Sequence, residues 1–117
     1  MAKPRWEPGP DHPITITPAG EKVVVTAGGR VIAETENALL LQEAHYPPVR
    51  YVPLADVDPA VLERSSTTSY CPYKGDATYY SLPGAPDAVW EYQEPYDAVA
   101  AIKGHVAFYP DKVEFSA

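Results

Sequence analysis

The sequence predicts a mostly β protein: one antiparallel domain of short strands with a single short helix. Three observations predict it. Fourteen prolines are spread along the 117 residues. Each locks φ and removes a backbone donor, so long helices are broken and central strands must avoid them. Nine tyrosines and many valines supply side chains that suit a pleated, half-buried surface. Finally, two β-type runs flank Gly28-Gly29, the pattern of a tight hairpin whose turn needs positive φ at both central positions.

Residues 1–13 hold Pro4, Pro8, Pro10 and Pro13 and read as an extended arm that Trp6 packs onto the body. Residues 14–117 read as a single β-rich domain, a common size for one core. Within it, residues 14–17 alternate apolar and polar and predict a strand. Residues 22–27 and 30–34 are the two arms of the Gly-Gly hairpin. Residues 37–44 carry Leu39, Leu40 and Leu41 and fit a buried strand or a short helix. Pro47-Pro48 and the extended residues 49–53 favour a second hairpin, hence a strand. Asp58-Pro59 is a helix-start signal, with the carboxylate as N-cap and proline at the first position, so the short helix is expected over 58–64. Residues 65–69, Ser-Ser-Thr-Thr-Ser, read as a hydroxyl-rich loop. Residues 77–82 and 88–93 predict strands, residues 96–102 one or two helical turns, and residues 105–109 and 112–115 a last hairpin around Pro110-Asp111. The total is about eight or nine strands, a usual count for one domain.

Charge narrows the function. Nine basic against sixteen acidic residues give −7 and a pI near 4.8. Such a chain repels phosphate backbones and anionic membranes, so neither nucleic acid nor membrane is an expected partner. No apolar run approaches the length that spans a bilayer, and no leader-type apolar segment opens the chain. The one cysteine forms no internal disulfide, which fits the reducing cytoplasm.

Chemistry-bearing residues concentrate in residues 69–80, Ser-Tyr-Cys-Pro-Tyr-Lys-Gly-Asp-Ala-Thr-Tyr-Tyr. A nearby cation turns a partly exposed thiol into a nucleophile, and Lys74 follows Cys71 across a Pro72/Gly75 turn. The other reading of Cys71 is a small buried hydrophobe. Lys74 can hold an anionic ligand group, or be solvated like most turn lysines. Tyr70, Tyr73, Tyr79, Tyr80, Trp90 and Tyr92 can line a pocket for a flat ligand or pack a sheet face; by alternation Tyr79 and Tyr80 face opposite sides. The acidic groups Glu34, Glu36, Glu43 and Asp56, Asp58, Glu63 show no metal-site signature and read as a solvated face. Of His12, His45 and His105, none at ligand spacing from another, His45 beside Tyr46 is kept as a general-base candidate.

The run Cys71-Pro72-Tyr73-Lys74-Gly75, with Ala77 and Tyr79 after it, resembles the small bacterial family catalogued as domain of unknown function 427, also labelled a nucleotidyltransferase-like domain. The likeness extends over Gly29 to Ala33, Leu39 to Glu43, Tyr51-Val52-Pro53, Asp56-Val57, Leu62, Trp90, Tyr92, Pro95 and Ile102 to Tyr109. It implies a compact β domain of the β-tent kind, similar to Mss4-like folds. Zinc in that wider fold is held by two Cys-x-x-Cys pairs, which this chain lacks, so no metal or cofactor is expected. The Gly-Ser motif implied by the nucleotidyltransferase label is also missing. The resemblance carries over Glu43, Tyr51, Asp56, Cys71, Lys74, Tyr79 and Trp90 as site residues without assigning their roles; by residue chemistry Cys71 and Lys74 are the catalytic candidates and Glu43, Tyr51, Asp56, Tyr79 and Trp90 the ligand-binding ones. Three functions therefore stand: a pocket for a small anionic or aromatic ligand, an enzyme with Cys71 as nucleophile, and a structural or protein-interaction domain.

Overall fold

A computed structural model describes residues 3–117. The first two residues of the expected arm lie outside the described residues. Among the described residues, ten strands form two open antiparallel sheets. In chain order they are β1 (Ile14–Pro18), β2 (Val23–Ala27), β3 (Arg30–Thr35), β4 (Leu39–Glu43), β5 (Val49–Pro53), β6 (Glu63–Cys71), β7 (Gly75–Leu82), β8 (Ala85–Glu91), β9 (His105–Phe108) and β10 (Glu114–Ser116). Seven make one sheet in the order β1-β4-β5-β9-β8-β7-β6, and three make the other in the order β10-β2-β3.

The strands follow from local chemistry. Gly28 and Gly29 both take positive φ, +57° and +81°, which closes the β2–β3 hairpin. Residues 39–43 resolve as strand: Leu39 sits opposite Tyr51 and Leu41 opposite Val49, so β4 and β5 form the hairpin expected across Pro47-Pro48. Single-residue alternation then sorts the seven-stranded sheet into two faces. Val52, Val89, Val106 and Phe108 point to one side and pack with Val23, Val25, Ile32 and Ala33 of the small sheet; this is the main core. Tyr51, Ala77 and Ala107 point to the other side with Leu41 and Tyr92, where Val99 and Ile102 cover them. Tyr79 joins the second face and Tyr80 the first, as alternation requires.

Three local expectations are corrected. The helix at residues 58–64 is one 3-10 turn, Pro59–Val61. Its cap is as expected, since the Asp58 carboxylate accepts the Ala60 N–H at 3.0 Å. It stops at Leu62 because Glu63 and Arg64 already pair with Ser81 and Tyr80 on β7. The hydroxyl-rich loop is instead the middle of β6. This is an edge strand, exposed along most of its length, so its side chains show no apolar alternation although Thr68 and Ser69 pair with Thr78 and Ala77. The last strand does not form a hairpin with β9. Both edges of β9 are taken by β5 and β8, and β10 crosses to the free edge of β2. Residues 97–102 form two short 3-10 turns joined at a kink at Val99.

Among the described residues, no helix is long and apolar enough to cross a membrane. The arm runs back across the β6–β7 turn: the Trp6 N–H donates to the Pro72 carbonyl at 2.9 Å, and the Trp6 ring meets Tyr73 edge-on at 5.5 Å. Trp6 itself stays 53% exposed.

Candidate functional site

The site begins with the turn that joins β6 to β7. The Lys74 N–H donates to the Cys71 carbonyl at 3.2 Å, closing a four-residue turn around Pro72 and Tyr73. Gly75 then takes φ +112°, a conformation that side-chain-bearing residues rarely adopt. A Cβ there would also sit 3.3 Å from the Glu94 carbonyl oxygen. The Lys74 carbonyl is held in turn by the Tyr96 N–H at 3.0 Å. With its backbone fixed on both sides, Lys74 projects inward and is only 7% exposed.

A buried ammonium needs an opposite charge and hydrogen-bond acceptors. Lys74 finds them in Glu43, the last residue of β4, whose Oε1 accepts from the Lys74 Nζ. The second oxygen of Glu43 is 2.7 Å from Nε2 of His12, which the arm delivers. Burial pushes the Glu43 carboxyl up, but the hydrogen bonds from Lys74 and His12 outweigh it and hold the group below its usual range. Glu43 is therefore an anion at neutral pH. The His12 ring lies flat on Tyr73, with centroids 4.1 Å apart and planes 6° apart. Cys71 is half-buried, with its Sγ 3.8 Å from the Lys74 Nζ.

Lys74 and Glu43 close one end of a cavity of about 220 Å³. Its walls come from the second face of the large sheet and the loop after β4. Tyr51, Tyr79, Trp90, Tyr92 and Tyr109 supply the rings, and Leu41, Val49, Tyr46 and Pro47 complete it. Trp90 stands between Tyr79 on β7 and Ala107 on β9. Trp90 and Tyr109 pack at 4.6 Å with a 50° tilt, and the Tyr79 hydroxyl lies 2.8 Å from the Ser69 hydroxyl. Burial pushes the Tyr51 phenol up to about 12 and the Tyr92 phenol higher still. Both are therefore neutral hydrogen-bond donors at physiological pH. The cavity is thus aromatic, rich in hydroxyl donors, and carries one buried ion pair.

The structure brings together Glu43, Tyr51, Lys74, Tyr79 and Trp90 and places Cys71 against Lys74. It separates Asp56 from them. That carboxylate accepts from the Thr35 hydroxyl at 2.7 Å, and the same hydroxyl accepts the Asn37 N–H at 2.9 Å, so Asp56 braces the β3–β4 corner. Tyr70 and Tyr73 do not line the cavity either: the Tyr70 hydroxyl bonds Tyr96 and the Pro4 carbonyl, and Tyr73 stacks on His12. The histidine at the site is His12, not the exposed His45. No local pattern marks His12, because its partner is 31 residues away. Tyr46 and Tyr109 are additional wall residues, each signalled in the sequence only as an aromatic beside proline. Among the described residues, no group of three His, Cys, Asp or Glu converges into a metal-binding cluster.

Fold and site together define a small antiparallel β domain with an aromatic cavity closed by a buried lysine–glutamate pair. The chain belongs to the family described as Domain of unknown function (DUF427), which matches residues 15–117. No curated protein matches the chain.

Proposed function

We propose that the domain binds a small ligand bearing an aromatic ring and an anionic group, the ring against Trp90 and Tyr79 and the anion towards Lys74. The observation that carries this reading is the convergence of Lys74, Glu43 and six aromatic side chains on one cavity of about 220 Å³. Ring faces enclose a flat ligand, and the phenol hydroxyls and the Lys74 ammonium offer donors to its acceptors. The excess of acidic residues, −7 overall, argues against nucleic acid and anionic membranes as partners. The lone cysteine supports a cytoplasmic setting, and the Cys-Pro-Tyr-Lys-Gly run supports a bacterial, β-tent, Mss4-like affiliation.

A fragment screen by ligand-observed NMR tests this. Hits are expected to be aromatic acids, and binding should weaken in both Lys74→Ala and Tyr79→Phe, each checked for folding. Hits whose binding neither substitution changes would place the site elsewhere.

A second reading rests on the 3.8 Å approach of Lys74 Nζ to Cys71 Sγ. It makes Cys71 a nucleophile supported by the ammonium. Iodoacetamide labelling of the native protein separates the two. Labelling at neutral pH that slows in Lys74→Met favours the enzyme reading; a thiol that reacts only after unfolding removes it.

A further inference from the structure

The buried ion pair has a third member that belongs to neither the sheet nor the turn. His12 lies in the arm, before the residues that match the family, yet its Nε2 is 2.7 Å from Glu43. The arm is fastened around it. The Ala44 N–H donates to the Pro13 carbonyl at 2.8 Å, and the His12 and Gly9 backbones bond each other in a tight turn. The titratable groups facing the imidazole are Glu43 from β4, Tyr46 from the β4–β5 loop and Tyr73 from the β6–β7 turn, with Lys74 behind Glu43. Asp11 is its chain neighbour.

Charge counting gives the consequence. With His12 neutral, Lys74 and Glu43 cancel and the cluster carries no net charge. A monoanion entering the cavity would then leave one uncompensated negative charge beside the buried pair, which is costly. With His12 protonated, the cluster is +1 and the entering anion neutralises it. We infer that His12 makes the site selective for monoanions and that ligand binding takes up one proton on this imidazole. This deepens the proposed function and rests on it: the arm, through His12, sets which charge the cavity accepts. By linkage, anion and proton must each tighten the binding of the other. Affinity for the anion therefore falls as pH rises, by up to tenfold per pH unit while the bound form keeps a proton that the free form has lost.

The test uses three probes of one shape and different charge: benzoate, benzamide and benzylamine. Calorimetric titration of the full chain in two buffers of different ionisation enthalpy counts the protons exchanged. Expected are benzoate binding stronger than benzamide, no measurable benzylamine binding, and net proton uptake with benzoate that benzamide does not show. His12→Gln keeps a side-chain N–H for Glu43 but cannot titrate. It should abolish the proton uptake and flatten the pH dependence, with benzoate affinity at low pH reduced to that of the native protein at high pH. Benzoate binding without proton uptake, or uptake unchanged in His12→Gln, overturns the inference and leaves the cavity reading standing. Benzylamine binding more tightly than benzoate overturns the charge preference. Failure of all three probes to bind overturns the inference and the cavity reading together. The native-protein measurement decides the matter even where the variant does not fold.

Discussion

Replacing Lys74 with methionine should destabilise the domain far more than an ordinary surface lysine would. The side chain is almost fully buried, and its charge is matched by Glu43. Breaking a buried pair by removing one partner costs about 3–5 kcal/mol, because the other charge is left uncompensated. Here the Glu43 side chain keeps 16% of its exposure and retains His12 as a second partner. The expected loss is therefore at the lower side, about 2–4 kcal/mol. Glu43→Gln, which strands the deeper ammonium, should cost at least as much. Removing both charges in Lys74→Met/Glu43→Gln should cost less than the sum, with a coupling of about 2 kcal/mol or more. Urea unfolding at neutral pH, followed by tryptophan fluorescence, gives all four corners of the cycle. Single losses below about 1 kcal/mol, or additive ones, would refute the claim that the pair is a buried, mutually dependent unit.

Two further outcomes follow from the same geometry. Gly75→Ala should cost about 2–3 kcal/mol, since φ +112° is strained for alanine and the Glu94 carbonyl is only 3.3 Å from the new Cβ; Gly84→Ala, with open space around it, should cost less, and equal losses at the two positions by thermal or urea unfolding would contradict this. Tyr51 contributes to an alkaline limit to stability: its folded value near 12 lies above the unfolded value near 10, so its stabilisation is complete below about pH 10 and is lost as pH rises towards 12, and Tyr51→Phe should shrink the alkaline loss seen in urea unfolding by roughly 2–3 kcal/mol, leaving the share of Tyr92, which burial also raises.

Features set by neighbouring residues were legible in the sequence. The Gly28-Gly29 hairpin, the Asp58 cap on Pro59 and the opposed faces of Tyr79 and Tyr80 each depend on φ preference, a short hydrogen bond or strand alternation, all of which act over a few residues. What failed depends on distant partners. β10 leaves β9 for β2 because β9 has no free edge, and that is a property of the whole sheet order. The Ser/Thr run hides a strand because an exposed edge imposes no apolar pattern on its side chains. At the site, Lys74 and Gly75 stand out by composition, whereas His12 meets Glu43 only after β1 and β4 pair. Asp56 reads like Glu43 in one dimension, but the β3–β4 corner engages it with Thr35 instead.

The central claim is that the cavity between the Lys74–Glu43 pair and Trp90 is where this domain meets its ligand. Nitrogen-edited NMR during a benzoate titration tests it most directly, because both tryptophan indoles report separately. Saturable shifts of the Trp90 indole and the Lys74 amide are expected, with the Trp6 indole unmoved on the outside of the arm. Saturable shifts centred on Trp6, or on residues remote from the cavity, would contradict it.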